Sequence, residues 1–404
     1  MKKFLIIVAL ILLSFVILLA LFSRFSGTGI RITDGRYLGY SEQTTEWLFL
    51  EYQNIPVTHD GPYVFFNSDK HLALRVDSFE QNTNNVTKSI VTDEVLVTVD
   101  NKQKTQFKVP LWHSYSRSKL EYTTSEKVLA ISDIEGNFDA VVNLLTANGV
   151  IDKSLNWSFA KGHLVLIGDM VDRGTNVVPT LWLLYKLEAE AKKAGGDLHY
   201  ILGNHERYLL DGRTKSVANK YFGTYRATNM RQSQLWSEKT VLGHWLRTKP
   251  VLLKLNDILY VHGGISPEVL SKKPTLDYID NLAKESFVTS GTVVKHIDEH
   301  ILHSSKGLLF YRGLAQDMSS YNLGKKASES HVEQILALYD ASKIAIGHTL
   351  TKHIGFDFNG KVIRVDVDHL RGESEALLQE NHAIFRVNTK GQKLPLIQLE
   401  NAAP

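Results

Sequence analysis

The sequence contains no cysteine in its 404 residues. This absence excludes disulfide bonds, thiolate metal sites and a cysteine nucleophile. Any bound metal would therefore have to be held by histidine, aspartate, glutamate or asparagine. The sequence also lacks long stripes of lysine and arginine, and its formal charge of +3 is small for this length. We therefore expect no nucleic-acid partner.

Internal repeats and low-complexity tracts are missing from the sequence as well. The apolar fraction of 43% and the charged fraction of 22% are those of an ordinary globular protein rather than of a disordered one. The length allows one large domain or two modest ones.

The most unusual composition lies at the amino end. After Lys2 and Lys3, the run from Phe4 to Phe22 contains a single polar side chain. This run is long enough to cross a bilayer as a helix, so we predict a transmembrane anchor over residues 1–23. A cleaved signal peptide is the alternative, but its apolar region is normally shorter, and no clean small-residue cleavage pattern follows.

The charges on either side of this run are nearly balanced. Lys2 and Lys3 precede it, and Arg24, Arg31 and Arg36 follow it. Because the leading segment is very short and basic, we expect the amino terminus in the cytoplasm and the rest of the chain outside it, in the periplasm.

Three further segments are distinguished by their patterns. Residues 24–36 have no apolar period and are interpreted as a linker. Residues 37–126 contain short β-rich runs separated by turn signals, which predict a small β-rich extension that packs against the next domain. From residue 127 to residue 404, strand and helix patterns alternate, which predicts an α/β domain.

Polar clusters directly follow five apolar strand patterns of this domain. The clusters are Ser132–Asn137, Gly168–Gly174, Gly203–Glu206, His262–Gly264 and Gly347–Thr349. Because the carboxyl ends of strands in an α/β sheet share one edge, we expect the clusters to meet there. Their carboxylates, asparagine and histidines would suit Mn, Fe or Zn, and less exclusively Mg.

Two patterns near the carboxyl end bear on the same domain. The pair Asn359-Gly360 predicts a hairpin between Ile354–Phe358 and Lys361–Val365. Asp366 and Asp368 lie on alternating strand positions, and we expect both to face solvent and to have no role in the site.

The ordered clusters resemble those of the calcineurin-like metallophosphoesterases, and within them the phosphoprotein-phosphatase branch, particularly its bacterial-type serine/threonine or tyrosine phosphatases. The segments Trp245–Pro250, Leu259–Pro267 and Phe310–Gly313 are similar to that branch. The resemblance covers residues 127–367. It implies a β-sandwich flanked by helices and a phosphomonoester hydrolase that uses a metal-bridged hydroxide.

The resemblance also implies two divalent metal ions. Asp133 and Glu135 would bind the first metal, and Asp169 would bridge both. The second site would be completed by Asn204, His262 and His348. Two cations about 3.5–4 Å apart that share a carboxylate lower the pKa of a bound water. The hydroxide that then forms at neutral pH is the nucleophile that attacks phosphorus.

Four further residues match catalytic positions of the family. His205 is similar to the acid that protonates the leaving oxygen, and Asp172 would orient its imidazole. Arg173 and Arg312 would clamp the phosphoryl oxygens and spread the charge of the transition state. Taken singly, these residues could also be helix caps, core histidines or surface arginines. Independent caps would not reproduce the whole ordered set.

Glu135 departs from the pattern, because the family normally has a histidine there. The first site would then offer oxygen ligands alone, which match Mn²⁺ or Mg²⁺ better than Zn²⁺. The departure also allows an alternative, a catalytically weak scaffold that binds phosphate groups. For an active enzyme, a phosphoprotein is the expected substrate, and a dinucleoside polyphosphate or another small phosphate ester is the alternative.

Overall fold

The computed structural model describes residues 59–399 apart from 68–69, 81–82, 113, 289–299, 320–323 and 373, and before them only residues 10, 13–15, 17–18, 30–33, 36–41 and 46–51. The predicted anchor over residues 1–23 therefore lies largely outside the described residues. Within the described ranges, no helix has both the length and the apolar composition needed to cross a membrane.

Between residues 30 and 126, the regular elements in the described part of the chain are strands. They are β1 (Ile30–Thr33), β2 (Arg36–Ser41), β3 (Glu46–Glu51), β4 (Asp60–Phe65), β5 (His71–Glu80), β6 (Thr83–Val91), β7 (Glu94–Thr98), β8 (Gln106–Pro110) and β9 (Glu121–Tyr122). Strand β1 falls inside the predicted linker. Strands β1 to β3 and β4 to β6 form two three-stranded sheets, and β7 pairs with β8.

Two larger sheets contain the strands after residue 127. These strands are β10 (Val128–Ile131), β11 (His163–Ile167), β12 (Asp197–Ile201), β13 (Leu252–Leu255), β14 (Ile258–Val261), β15 (Lys343–Ile346), β16 (Gly355–Asp357), β17 (Val362–Arg364), β18 (Glu375–Glu380), β19 (Ala383–Asn388), β20 (Lys393–Pro395) and β21 (Ile397–Gln398). One sheet has the order β12-β11-β10-β18-β19-β20, and the other has the order β21-β16-β17-β15-β14-β13-β9.

The strands that matter for the site run parallel within each sheet. In the first sheet, β10, β11 and β12 are parallel neighbours. In the second sheet, β14, β15 and β17 are parallel neighbours. Parallel neighbours end at the same edge, so each sheet presents three carboxyl ends together.

The two sheets pack face to face around an apolar interior. Val128 and Ala130 of β10 point into this layer, where they join Val165 of the same sheet and Leu253 and Ile363 of the other. The alternate residues of β10 belong instead to the core beneath the helices. Strand β10 is therefore buried on both faces, which explains why its sequence is a continuous apolar run.

Helices cover the outer faces of this sandwich. They are α1 (Phe138–Ala147), α2 (Val177–Ala194), α3 (Asn204–Asp211), α4 (Asn219–Thr228), α5 (Gln232–Leu235), α6 (Val241–Arg247), α7 (Pro267–Ser271), α8 (Leu276–Val288), α9 (His300–His303) and α10 (Glu329–Tyr339). The predicted fold class, an α/β β-sandwich flanked by helices, is confirmed for the described domain.

The predicted hairpin near the carboxyl end is also confirmed. Strands β16 and β17 pair antiparallel, with Gly355 opposite Arg364. The turn contains Asn359 at φ +54° and Gly360 at φ +87°. Left-handed backbone at two successive turn residues is what the Asn-Gly pair favours.

The β-rich extension packs directly against the α/β domain. The indole Nε1 of Trp182 in α2 donates to the carbonyl of Pro62 at 2.9 Å. Phe107 of β8 stacks on Phe138 of α1, with ring centroids 5.9 Å apart. Both rings belong to one continuous apolar cluster that runs from the extension to the sandwich. Strands β4, β5, β7 and β8 therefore help to build the core of the larger domain.

Candidate functional site

A cavity of about 590 Å³ opens at the edge where the parallel strands of both sheets end. Of the ten residues that the sequence predicts for the site, eight line this cavity: Asp133, Glu135, Asp169, Arg173, Asn204, His205, Arg312 and His348. The other two, Asp172 and His262, are buried immediately behind the lining. The structure therefore brings the whole predicted set together, on the edges of two facing sheets.

The backbone of the site turns sharply at the strand ends. Six of the predicted residues adopt left-handed backbone conformations that side chains rarely take. They are Asp133, Glu135, Asp169, Asp172, Arg173 and His348, with φ between +52° and +68°. Such conformations cost free energy and persist where the surroundings enforce them, typically at functional sites.

Asp169, His262 and His348 form the tightest cluster of ligand-type side chains. Each offers one atom within 4.8 Å of the others. His262 Nε2 lies 3.0 Å from Asp169 Oδ2 and 3.1 Å from the side-chain oxygen of Asn204. His262 Nδ1 donates to the carbonyl of Ile167 at 2.7 Å, which fixes the ring with Nε2 toward the cavity. A backbone acceptor behind an imidazole is the usual support of a metal-binding histidine.

The charges of this cluster favour a cation. Burial alone would lower the pKa of His262, but the negative charges of Asp169 and Asp133 raise it to about 10. Burial also raises the pKa of Asp133 to about 6, and the charge of Asp169 acts in the same direction. His348 behaves in the opposite way, because burial and the charge of His262 hold its pKa well below the ordinary value. A metal ion that displaced the proton of His262 would meet two imidazoles beside buried carboxylates, a donor set that fits divalent metal ions.

In the predicted first metal site, Asp133 and Glu135 have separate partners. Asp133 Oδ2 accepts hydrogen bonds from the Ser132 hydroxyl and from the backbone N–H of His348, the latter at 3.0 Å. The carboxylate of Glu135 is instead held in an ion pair by the guanidinium of Arg173. Glu135 is buried, whereas the side chain of Arg173 is about half exposed.

His205 and Asp172 form a buried pair at one wall of the cavity. His205 Nδ1 lies 2.9 Å from Asp172 Oδ2, so Nε2 is turned toward the cavity. Nε2 lies 3.8 Å from Asp169 Oδ2 and 3.4 Å from Arg173 Nη2. Burial would lower the pKa of His205, but the charge of Asp169 and the hydrogen bond to Asp172 outweigh it and raise this pKa.

Arg312 also lines the cavity. One terminal nitrogen, Nη1, donates to the carbonyl of His348 and to the hydroxyl of Thr349, the latter at 3.2 Å. The segment that follows β15 thus anchors this guanidinium, which lines the cavity.

Glu206 is a supporting residue to which the sequence interpretation gave no role. Its fully buried carboxylate accepts from the backbone N–H groups of Asp169, Met170 and Gly203 at 2.7–2.9 Å, and from the hydroxyl of Tyr200 at 2.8 Å. It therefore ties together the segments that follow β11 and β12. The signal was present in the sequence, because a glutamate three residues after a helix N-cap commonly accepts from the backbone there.

The expectation that Asp366 faces solvent is wrong. Its side chain lines the cavity, and the residue is only 6% exposed. Strand β17 ends at Arg364, so strand alternation no longer decides where residue 366 points. Burial raises the pKa of Asp366 well above its ordinary value, and the charge of Asp133 adds to the effect. Asp368 is half-buried and caps the backbone N–H of Arg371 at 3.2 Å.

Comparisons with known proteins agree with this geometry. Residues 126–352 match the family model described as calcineurin-like phosphoesterase. The crystal structure of a cold-active protein-tyrosine phosphatase from a psychrophilic Shewanella species is similar, with a TM-score of 0.74 at 31% identity over 84% of this chain and 99% of that chain.

Curated relatives include two kinds of enzyme. Shewanella-like protein phosphatase 1 of Plasmodium berghei is 27% identical over 225 residues, which are 55% of this chain and 61% of that protein. A symmetrical bis(5'-nucleosyl)-tetraphosphatase of Methylobacillus flagellatus is 22% identical over 292 residues, which are 67% of this chain and 91% of that protein. The match thus spans less than two thirds of the Plasmodium protein.

Proposed function

The chain belongs to the calcineurin-like phosphoesterase family, and from this premise we propose that it is a metal-dependent phosphomonoester hydrolase that acts on phosphorylated proteins. One observation carries the proposal. The buried cluster of Asp169, His262 and His348 shares a cavity with a supported histidine, His205, and with two arginines.

The family implies divalent metal ions, and the residues present fit them. In the proposed arrangement, Asp133 and Asp169 would serve the first ion together with a third carboxylate, for which the resemblance implies Glu135. The second ion would be held by Asp169, Asn204, His262 and His348. When bound, the ions would supply Lewis acidity toward water and toward the phosphoryl oxygens. Mn²⁺ is the proposed metal because the first set consists of oxygen donors and the sequence has no thiolate.

His205 is the proposed general acid. Asp172 accepts the hydrogen bond from Nδ1 of His205. The second proton of the imidazolium therefore lies on Nε2, inside the cavity, where it can be donated to the substrate. The charge of Asp169 and the hydrogen bond to Asp172 outweigh burial and raise the pKa of His205, which favours the protonated form that a general acid needs. The proton would pass to the oxygen of the leaving group as its bond to phosphorus breaks.

Arg173 and Arg312 are the proposed phosphate clamp. They lie on the same cavity as the metal-type ligands and carry fixed positive charge toward it. A planar guanidinium can donate two parallel hydrogen bonds to two oxygens of a phosphoryl group. Because the charge on these oxygens changes as the bond to the leaving group breaks, such donors can stabilise the transition state.

The aromatic wall of the cavity supports a phosphoprotein substrate, with phosphotyrosine as the first residue to test. Tyr208 and Phe310 line the cavity, and their ring centroids lie 5.9 Å apart. Aromatic side chains at this place offer packing area to an aryl leaving group. The similar Shewanella structure is that of a protein-tyrosine phosphatase. Dinucleoside polyphosphates are the second candidate, because one similar curated protein is a tetraphosphatase.

A substrate and metal panel tests the proposal. The full chain, purified in detergent and stripped of metal, is assayed with each divalent cation on phosphotyrosine, phosphoserine and phosphothreonine peptides and on a symmetrical dinucleoside tetraphosphate. We expect hydrolysis of the peptides, strongest with Mn²⁺, and a loss of several powers of ten in Asp169→Asn. Hydrolysis of the tetraphosphate alone would transfer the proposal to the second candidate. If the protein binds phosphate esters but hydrolyses none of them with any metal, the result would favour the alternative of a catalytically weak scaffold that binds phosphate groups.

The location of the domain is a separate proposal from the sequence. We propose that the apolar run from Phe4 to Phe22 inserts in the membrane and that the α/β domain lies outside the cytoplasm. With the outer envelope permeabilised, added protease should then digest the domain while a cytoplasmic marker survives. Protection until the inner membrane is broken would reverse the orientation.

A further inference from the structure

Asp366 is a buried carboxylate on the cavity wall that the residues assigned above do not use. It is 6% exposed and lines the same cavity as Asp133, Glu135 and Asp169. In the part of the chain that the structure describes, its carboxylate has neither a hydrogen-bond donor nor an ion-pair partner. A buried carboxylate without donors is costly unless a cation lies against it or a proton neutralises it.

The position of Asp366 follows the rule that places the other ligand-type residues. It comes two residues after the end of β17, which is the parallel neighbour of β15, and β15 leads to His348. Thr351 donates its backbone N–H to the carbonyl of Asp366 at 2.9 Å, and Val365 donates to Ile346 at 2.8 Å. These bonds hold Asp366 at the edge of the sheet where the site lies.

The electrostatic neighbours of Asp366 include ligand-type residues of both proposed metal sites. Asp133 is the charged group that influences its carboxylate most, followed by His262 and Asp169. Burial lowers the pKa of Arg312, and the negative charge of Asp366 acts in the opposite direction. Asp366 therefore adds a third negative charge to the pair formed by Asp133 and Asp169.

Glu135 is poorly placed to supply that third charge, because its carboxylate is already paired with Arg173. Arg173 is at the same time a proposed phosphate clamp. The carboxylate of Glu135 therefore orients the guanidinium of Arg173 for its proposed contact with the phosphoryl oxygens. The two acidic residues thus have different partners, since Glu135 faces a guanidinium and Asp366 faces the open cavity.

We propose that Asp366, rather than Glu135, provides the third carboxylate of the first metal site, and that Glu135 positions Arg173. The inference rests on the proposed metal-dependent function and deepens it. It explains how the site tolerates glutamate where the family has a histidine: the ligand comes from the end of a different strand, and the glutamate supports the clamp.

Metal stoichiometry tests this assignment without relying on activity. The full chain and its variants are loaded with Mn²⁺ alone, dialysed, and measured for manganese per chain by mass spectrometry. The wild type and Glu135→Gln should retain two ions. Asp366→Ala should retain one manganese ion per chain. Asp366→Asn should retain one ion and hold a second only weakly, because an amide oxygen is a poorer ligand than a carboxylate. Asp368→Asn is the matched control, two residues away on the same cavity, and should retain two.

Folding is checked by melting the metal-free proteins. Neither Asp366 variant loses a hydrogen bond, so both should melt no lower than the wild type. Glu135→Gln should lower kcat for a phosphate ester more than it raises KM, because Arg173, which Glu135 is proposed to hold, is proposed to stabilise the transition state. Two ions in Asp366→Ala, or one ion in Glu135→Gln, would overturn the assignment. A wild type that binds no Mn²⁺ would overturn the proposed function itself, which is a different result.

Discussion

At the scale of single residues, the pair His205–Asp172 gives the most direct test of chemistry. His205→Ala should slow hydrolysis by about 10²–10⁴-fold, because a general acid contributes roughly that much. The manganese content should not change, since His205 is not among the proposed ligands. Esters with good leaving groups need little protonation and should be affected less. Steady-state rates on a series of aryl phosphates measure the difference, and an equal loss across the series would remove His205 from the role of acid.

The same pair predicts a pH dependence. The hydrogen bond to Asp172 is one of the causes that raise the pKa of His205. An acid works only while protonated, so activity should fall as pH rises through this pKa. Asp172→Asn removes a cause that raises the pKa, and the alkaline limb of the kcat profile should therefore move to lower pH. The control is Asp211→Asn at the far end of α3, where the carboxylate pairs with Arg207 at 2.7 Å and the limb should not move.

Residue-level prediction from sequence succeeded where the end of an apolar strand was recognised, and failed where strand alternation was carried past that end. Asp133, Asp169 and His262 come within two residues of a strand end, so the shared sheet edge determines their position. Asp366 was assigned by alternation along a strand that had already ended at Arg364. A pattern of period two carries no information once the backbone leaves the strand. The burial of Asp366 depends instead on tertiary packing, since its segment lies beside β15 at the wall of the cavity.

At the scale of elements, the segments after the strands depend on close backbone approach. Gly203, at the start of α3, lies against the segment that follows β11. A Cβ at Gly203 would lie 2.2 Å from Asp169 Oδ1 and 2.7 Å from the Asp169 backbone nitrogen. Gly203→Ala should therefore displace the carboxylate that both metals are proposed to share. We expect this variant to lose manganese and activity together, measured as metal per chain and as kcat.

A matched glycine separates this contact from general strain. Gly149, after α1, has φ +69° and no atom within 4 Å of an added Cβ. Gly149→Ala should cost about 1–2 kcal/mol of stability through its left-handed backbone, yet leave metal content intact. If Gly149→Ala lost metal as Gly203→Ala does, the contact with Asp169 would not be the cause.

Elements with uniform apolar runs were predicted well, because strands buried on both faces leave that signature. Strand β18, with the sequence Glu-Ala-Leu-Leu-Gln-Glu from Glu375 to Glu380, gave no such signal. Glutamate, alanine, leucine and glutamine are good helix formers. Antiparallel pairing with β10 on one side and β19 on the other makes this segment a strand. Tertiary context of this kind overrides local propensity and is invisible in a single sequence.

At the scale of the whole molecule, the extension and the α/β domain share one core. Val97 and Val109 of the hairpin β7–β8 are fully buried and belong to the same apolar cluster as Leu144 of α1 and Leu181 of α2. Polar contacts cross the same boundary, since Asn176 exchanges two hydrogen bonds with the backbone of Asp100 at 3.1 and 3.2 Å. Shared burial of this kind predicts that the two parts unfold together.

Phe107 tests this cooperativity, because its ring stacks on Phe138 across the boundary. Phe107→Ala should lower the free energy of unfolding by about 3–5 kcal/mol, the usual cost of truncating a buried aromatic ring. Leu96→Ala on the same hairpin is the matched control. Leu96 is 38% exposed, so its loss should change stability by no more than about 0.5 kcal/mol. Urea unfolding followed by tryptophan fluorescence and by circular dichroism should show one coincident transition for the wild type and for both variants. Two separate transitions in Phe107→Ala, with the later one at the wild-type midpoint, would mean that the extension folds as an independent unit and contributes nothing to the stability of the domain that holds the site.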